Sequence, residues 1–303
     1  MTTLTPRTRP QHVYDFKALD QVPEGATSLK VSARRLLSGP TLQSGKSSTV
    51  GAVLAGTHIA CTLGTQARGT GAKAHTHPNE QFNFVLQGMM MNDVEGDRVF
   101  ASRGMILHTP GMAVHTGLAC PDEDLVFLAI KDTRHGITGP PVDGKYDGPN
   151  CFAGFGGRAH EPRQTTADVL AEAKRLPPGP GKRYAYDMLA KTDSWSGPAS
   201  ATVTPATALA LPEGVSGKLL TGEKLHVAVL RLAPGAAIPR HAHGNEQFTF
   251  VAEGMVDAAL EGGRMTVNEG CLLHVPDGMA HALAAPRGAL IVIAQDQRRP
   301  FSA

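Results

Sequence analysis

Two histidines, His75 and His77, stand two residues apart in a stretch that is predicted to be a β-strand. Residues two apart on a strand point to the same face, so both imidazoles would enter one interior. Gln81 begins the next predicted strand, and His115 begins a later one. Three imidazoles and one side-chain oxygen can therefore converge, and imidazole suits divalent iron, nickel, copper and zinc. This set predicts a mononuclear metal site with coordination positions left open for substrate.

The same set recurs 166 residues later as His241, His243, Gln247 and His281. Glycines and prolines around it recur at the same offset, so that Gly69, Gly88, Gly104 and Pro110 match Gly235, Gly254, Gly270 and Pro276. A repeat with a fixed offset indicates two copies of one structural unit. We therefore expect two similar domains in tandem, each with one metal ion.

A glutamate precedes each predicted glutamine ligand, as Glu80 and Glu246. Strand alternation turns each glutamate to the opposite face, so we predict that it supports the ligands or moves a proton in catalysis. A shift of one residue would instead make the glutamates the ligands, and this alternative stays open. A neutral glutamine leaves the ion its full double charge, which favours polarisation of a carbonyl or capture of an anionic substrate.

Short β-rich runs between glycines and prolines predict an all-β protein built from sandwiches or barrels. One helix is predicted over residues 167–176, capped by Thr165 and Thr166 and ended by Pro177. We expect an N-terminal arm over residues 1–47 and a first barrel over 48–132. A connector that carries the helix should follow over 133–215, and a second barrel over 216–303.

Composition argues against several classes of partner. The chain has 29 Lys+Arg and 27 Asp+Glu residues, and it has no basic run longer than two, so nucleic-acid binding is not expected. It shows no signal peptide and no apolar run of the roughly 18 residues that a membrane helix needs. Its four cysteines form no CxxC pair. We expect a cytoplasmic protein that acts on a small molecule; a homo-oligomer is an open alternative.

Both copies resemble the cupin superfamily in two motifs, G-x5-H-x-H-x3-E-x6-G and G-x5-P-x-G-x2-H. The resemblance covers roughly residues 50–132 and 216–297. It implies two double-stranded β-helix, or jelly-roll, barrels. The sequence departs from the motifs where Gln81 and Gln247 replace the usual acidic ligand, and where Met112 occupies a glycine position that Gly278 keeps.

The sets of three histidines and one glutamine resemble those of quercetinase-like dioxygenases and of the bicupin isomerase of bacilysin biosynthesis. This resemblance implies a non-haem Fe(II) dioxygenase that binds O2 and a small phenolic, enolic or keto substrate. Two ions per chain are expected, with manganese, nickel or zinc as alternatives to iron. A redox-neutral isomerase or lyase is the main alternative function. A cupin that binds a small ligand without turnover is the third.

Overall fold

The computed structural model describes residues 11–22, 29–38, 41–136, 138–261 and 263–303. Parts of the predicted N-terminal arm, residues 1–10, 23–28 and 39–40, lie outside the described residues. The strands of the first half are β1 Val13–Asp15, β2 Lys30–Leu36, β3 Val50–Ala55, β4 Ile59–Gln66, β5 Thr70–His75, β6 Gln81–Gln87, β7 Met89–Val94, β8 Asp97–Ser102, β9 Met105–Thr109, β10 His115–Ala119 and β11 Leu125–Asp132.

The second half contains one α-helix among the described residues, α1 Thr166–Ala173. Its strands are β12 Asn150–Cys151, β13 Ala185–Asp187, β14 Thr202–Pro205, β15 Val215–Thr221, β16 Leu225–Leu232, β17 Ala236–His241, β18 Gln247–Leu260, β19 Gly263–Asn268, β20 Cys271–Val275, β21 His281–Ala285 and β22 Ala289–Asp296. The predicted all-β class with a single connector helix is confirmed.

Two antiparallel sheets face each other in each half of the chain. In the first half, one sheet has the order β13-β9-β6-β11-β4-β3-β2 and the other has the order β12-β5-β10-β7-β8. The second half repeats the larger sheet as β1-β20-β18-β22-β16-β15-β14, with β17, β19 and β21 in the opposing layer. The long strand β18 belongs to both layers, where the first half uses two strands, β6 and β7. The tandem barrels are therefore confirmed.

The arm and the connector supply outer strands to both barrels. From the arm, β2 pairs with β3 of the N-terminal barrel, whereas β1 pairs with β20 of the C-terminal barrel. From the connector, β13 pairs with β9 and β14 pairs with β15. Each barrel is thus completed at its edges by chain from both segments.

The helix α1 begins with a capping box. The Thr165 side chain accepts a hydrogen bond from the Asp168 backbone N–H, and the Asp168 carboxylate accepts one from the Thr165 backbone. The helix ends at Ala173, three residues before the predicted end at Leu176. Leu176 precedes a proline, and that position disfavours helical conformation. Among the described residues, no helix combines the length and the apolar character that crossing a bilayer would require.

The two barrels pack against each other through a shared apolar core. Phe82 and Phe84 of β6 and Phe248 and Phe250 of β18 are buried in it. Strand alternation turns Gln81 and its counterpart in β18 the other way, toward the interior of their own barrel. One face of each strand therefore joins the barrels, and the other positions a candidate site.

Candidate metal centres

The first histidine cluster lies where β5 and β10 meet. His75 ends β5, His77 lies in the turn after it, and His115 begins β10 directly opposite His75. One ring nitrogen from each histidine lies within 4.8 Å of the others. The second cluster repeats this arrangement with His241, His243 and His281. The structure thus brings together both predicted histidine sets.

Every clustered histidine uses Nδ1 to fix its orientation. In the N-terminal barrel, Nδ1 of His75, His77 and His115 lies 2.8, 3.0 and 2.9 Å from the backbone oxygens of Lys73, Asn79 and Ala113. In the C-terminal barrel, Nδ1 of His241, His243 and His281 lies 2.8, 3.1 and 3.1 Å from those of Pro239, Asn245 and Met279. A carbonyl oxygen only accepts, so Nδ1 carries the proton and Nε2 keeps the lone pair that a metal requires.

The predicted glutamine ligands are oriented by hydrogen bonds of their own. Gln81 donates its side-chain N–H to Asn83 Oδ1 at 2.7 Å, and Gln247 donates to Thr249 Oγ1 at 3.0 Å. The amide oxygen is then the atom that remains for an ion. In the second cluster, Gln247 Oε1 lies 3.1 Å from His243 Nε2.

Burial favours the neutral form of the three histidines in the first cluster and of His281 in the second. It lowers the pKa of His115 to about 3 and that of His77 to about 4, and it lowers that of His75 further. In the second cluster it lowers the pKa of His281 to about 4. Neutral imidazole is the form that binds metal, and His241 Nε2 is buried with no hydrogen-bond partner among the described residues. These donors fit a divalent ion in each barrel, and metal binding by the eight side chains stays a prediction.

A lysine stands beside the first cluster and a glutamine beside the second. Lys131 lies opposite Gln81 in the sheet, as Gln295 lies opposite Gln247. Lys131 Nζ is 3.2 Å from His77 Nε2, and burial lowers the pKa of Lys131 to about 7. Gln295 donates instead to Gln247 Oε1 at 2.6 Å. The two clusters therefore differ in the charge of their nearest neighbour.

A cavity of about 80 Å³ opens beside the first cluster. Three predicted ligands line it, His75, Gln81 and His115, and its polar wall also includes Lys46, Gln66, Asn92 and Lys131. In the C-terminal barrel, the repeat places Leu232 where the first barrel has Gln66 and Ala258 where it has Asn92. Both belong to a packed apolar core. The interiors of the two barrels are therefore chemically different.

The sequence motifs do not reveal these four polar wall residues. The available signal is a difference between the two copies, because polar residues of the first copy align with apolar or uncharged residues of the second. Residues that the two copies share identify the predicted ligands, whereas the polar wall of this cavity shows only in residues that differ between the copies.

Glu80 and Glu246 lie on the strand face opposite the glutamines, and each reaches the other barrel. Glu80 accepts hydrogen bonds from the backbone N–H groups of Glu223, Lys224 and Leu225 at 2.6, 2.9 and 3.1 Å. Glu246 accepts the equivalent bonds from Thr57, His58 and Ile59 at 2.9, 2.7 and 3.0 Å. Nε2 of His108 and of His274 adds a contact to each at 2.9 and 3.1 Å. We call these reciprocal contacts the clasp.

The clasp depends on charge and on space. Burial alone would raise the pKa of Glu80 and Glu246, but hydrogen bonds from histidine and from backbone amides outweigh it and lower both pKa values. A Cβ at Gly56 would collide with Glu246, and one at Gly222 would collide with Glu80. An acid/base role for the two glutamates stays a prediction. Their contacts favour a role in joining the barrels.

Met112 takes a backbone conformation that favours glycine. Its φ is 66°, and the matching Gly278 in the second barrel has a φ of 75°. A non-glycine residue there costs roughly 1–2 kcal/mol. The Met112 N–H donates to the backbone oxygen of His77 at 2.8 Å, and the Thr76 hydroxyl donates to the Met112 oxygen at 2.9 Å. A strained turn is thus tied directly to the segment that carries a predicted ligand.

Comparisons with known proteins concern the two barrels. A family model described as Cupin domain matches residues 62–131 and 228–293. A search of the curated proteins finds no match. Among solved structures, the chain is similar to oxalate decarboxylase from Bacillus subtilis at pH 4.6, with 13% identity, a TM-score of 0.60, and coverage of 95% of this chain and 78% of that one. It is also similar to AerE from Microcystis aeruginosa, with 12% identity, a TM-score of 0.55, and coverage of 88% of this chain and 98% of that one.

At these identities the structural likeness concerns the fold. The two family matches fall on the two barrels, and each match contains one complete predicted ligand set. The motifs, the paired histidine clusters and the sheet order lead to the same conclusion. Residues 62–131 and 228–293 are therefore two cupin domains, and the chain has a two-domain cupin fold.

Proposed function

We propose that the protein is a metal-dependent enzyme whose reaction takes place in the N-terminal barrel, on a small oxygenated organic molecule. The observation that carries this proposal is the cavity of about 80 Å³ whose wall includes His75, Gln81 and His115. A substrate in it would lie next to the predicted metal ligands. Concave sites with a few convergent polar groups are where small molecules bind.

A divalent ion held by three imidazoles and an amide oxygen would act there as a Lewis acid toward a substrate oxygen. The sequence favours Fe(II), with manganese, nickel or zinc as alternatives. Manganese gains support from one structural neighbour, because a study of the Bacillus subtilis oxalate decarboxylase describes its Mn(II) centres. The residues that would hold the ion are His75, His77, His115 and Gln81.

The C-terminal barrel is proposed to hold its ion without turnover. Leu232 and Ala258 occupy the positions of Gln66 and Asn92, and they are packed in an apolar core. Gln295 donates both to Gln247 Oε1 and to the backbone oxygen of Ser302, at 2.6 Å each, so the segment around Ser302 lies against this cluster. A tightly packed interior supports stability rather than substrate access.

Lys131 favours a redox-neutral reaction, either isomerisation or a lyase step. Its ammonium is a proton-carrying group 3.2 Å from the Nε2 of His77 and in the cavity wall. From there it can donate a proton to a substrate oxygen or carbon, as a general acid does. Gln295, at the matching position of the second barrel, has no proton to exchange near neutral pH.

The dioxygenase expected from the sequence is the second candidate. The neutral donor set favours it, because three histidines and one glutamine leave two positions of an octahedral shell free for substrate and O2. Oxygen dependence separates the two candidates. An isomerase or lyase turns over in the absence of O2, whereas a dioxygenase consumes one O2 for each substrate.

The test combines metal analysis with a turnover screen. Protein expressed with iron, manganese, nickel or zinc would be analysed for bound metal and then screened in air and without oxygen. Small hydroxy acids, keto acids, enols and catechols form the substrate panel. Product formation without oxygen would support the redox-neutral reaction, and oxygen uptake in step with substrate loss would support the dioxygenase.

Two variants test whether the reaction takes place in the N-terminal barrel. Lys131→Gln gives the first barrel the residue of the second, and we expect it to lower turnover by at least about 100-fold while metal content is kept. The same substitution at the exposed Lys174, Lys174→Gln, is the control and should leave turnover within about twofold. Binding without turnover under every metal would instead identify a ligand-binding cupin and would overturn the proposal of an enzyme.

A further inference from the structure

Lys46 is a buried cation in the wall of the N-terminal cavity. The residue is only 2% exposed, and its backbone oxygen accepts a hydrogen bond from the Lys73 N–H at 2.9 Å. Within the described part of the chain, no hydrogen bond or ion pair joins its ammonium to another group. Burial lowers the pKa of Lys46 to about 8. An unpaired buried ammonium destabilises a fold, so its presence points to a partner that arrives from outside.

Two amide oxygens in the same wall also lack partners. Gln66 donates its side-chain N–H to Thr49 Oγ1 at 2.8 Å, which leaves Oε1 buried and without a hydrogen bond to any described residue. Asn92 Oδ1 is likewise buried and without a hydrogen bond to any described residue. Buried acceptors are nearly always satisfied in native proteins, so each indicates a missing donor.

The fold itself does not require these polar groups. The second barrel has the same strands and places Leu232 and Ala258 at the two amide positions, inside its packed core. An aliphatic residue is therefore compatible with this strand geometry. Strand geometry therefore does not account for the polar residues of the first barrel.

We propose that the cavity recognises a small hydroxy acid, whose carboxylate pairs with Lys46 and whose hydroxyl groups donate to Gln66 and Asn92. This inference rests on the proposed function and names its substrate class. A single ammonium matches one carboxylate, and the two acceptors require donors on the ligand. A cavity of about 80 Å³ offers the space of roughly five to eight water molecules, which suits a ligand of about that many non-hydrogen atoms.

Calorimetric titration of the metal-loaded protein with four probes tests the assignment. Glycerate carries both a carboxylate and hydroxyls, propanoate carries the carboxylate alone, glycerol carries hydroxyls alone, and inorganic phosphate is a different anion. We expect glycerate to bind most tightly. Lys46→Met should weaken it by at least about thirtyfold. The exposed Lys174, directly after α1, gives a matched control, Lys174→Met, which should leave the affinity unchanged.

Two further variants copy the residues of the second barrel, so the fold is expected to accept them. Asn92→Ala and Gln66→Leu should each weaken glycerate by about tenfold and leave propanoate unchanged. Lys46→Met should also unfold at a higher temperature than the wild type without ligand, because it removes an unpaired buried charge. A lower unfolding temperature would mean that Lys46 supports the fold, and it would overturn the assignment.

The outcomes separate this inference from the proposed function. Binding of glycerate through Lys46 in a protein that turns over nothing would uphold the recognition while the proposed reaction fails. Tighter binding of phosphate than of glycerate would overturn the carboxylate assignment. If none of the four probes binds, the hydroxy acid is overturned, and turnover of an uncharged substrate would still support the enzyme.

Discussion

The two barrels share a fold and a ligand pattern, but they differ in what surrounds the ligands. Each has three histidines whose Nδ1 atoms are held by backbone oxygens, together with one glutamine. Beside them, the first barrel has Lys131 and a polar cavity, whereas the second has Gln295 and a packed apolar interior. A shared set of ligands therefore does not by itself indicate a shared function.

Unlike the two interiors, the contacts between the barrels are the same on both sides. The clasp uses Glu80 and Glu246 with equivalent partners in both directions. An interface built from two matching patches is self-complementary and ties each patch to the other. The interiors of the two copies therefore differ, whereas their shared interface is symmetric.

The largest expected effect concerns metal content. Because the two clusters are separate, His75→Ala and His241→Ala should each remove one ion per chain and leave the other, as elemental analysis would measure. Only His75→Ala should abolish turnover, by at least about 100-fold. Loss of both ions from either variant, in a protein that stays folded, would contradict two independent sites.

The next largest effect is expected on stability when the clasp is disrupted, and the loss should be equal whichever of the two glutamates is replaced. Glu80→Gln and Glu246→Gln each remove a buried carboxylate that accepts from three backbone amides and a histidine, at a cost of about 3–5 kcal/mol. Denaturant unfolding would measure the loss. The exposed Glu213 offers the control Glu213→Gln, for which we expect a change below about 0.5 kcal/mol.

The same pair of variants tests the predicted acid/base role of the glutamates. If the glutamates serve to join the barrels, both variants should lose stability to a similar extent. Both should also retain turnover at temperatures where they remain folded. A Glu80→Gln protein with normal stability and no turnover would restore the catalytic assignment for Glu80.

A smaller effect is expected when the interiors are exchanged. Leu232→Gln places an amide in the apolar core of the second barrel and should cost about 3 kcal/mol. Gln66→Leu makes the reverse change beside the cavity and should alter the unfolding free energy by less than about 1 kcal/mol. Equal losses from both would show that the two interiors are equally packed, and the central contrast would fail.

Much of the fold and of both clusters follows from the sequence, because the informative signals are local. Alternation on a strand places His75 and His77 on one face, and a fixed offset carries that inference to the second copy. The capped helix is also local, since Thr165 and Asp168 lie within one turn. Such features need no knowledge of distant contacts.

The remaining features depend on contacts between distant residues. Alternation correctly turns Glu80 away from the cluster, but it does not reveal that the other barrel lies there. The pairing of β1 with the C-terminal barrel and of β13 with the N-terminal barrel is also non-local. A local signal does accompany it, because Tyr14 of β1 and Tyr186 of β13 each donate to the backbone oxygen three residues earlier, at 2.7 and 3.1 Å. A sequence motif identifies what two copies share, whereas partners across an interface need the assembled structure.

The pH dependence of stability provides the most sensitive comparison of the two interiors. Lys46 has an ordinary pKa of 10.5, and burial lowers it to about 8 in the fold. Between these values the unfolded Lys46 holds a proton that the native Lys46 has lost, so this lysine should add stability as pH rises, by at most about 1.4 kcal/mol per pH unit.

Lys46→Met lacks this contribution, so its advantage over the wild type should shrink between about pH 8 and 10.5 and then level off. His75 and His115 face the same cavity, but both their ordinary and their lowered pKa values lie below this window. Lys131 also faces it and, with its pKa lowered from 10.5 to about 7, contributes to stability across the window, but both proteins carry Lys131, so its contribution cancels in the comparison. Unfolding free energies of both proteins across the window would measure the difference. Parallel curves would mean that the Lys46 ammonium is as well solvated as a surface lysine, and the polar cavity would then no longer distinguish the first barrel from the second.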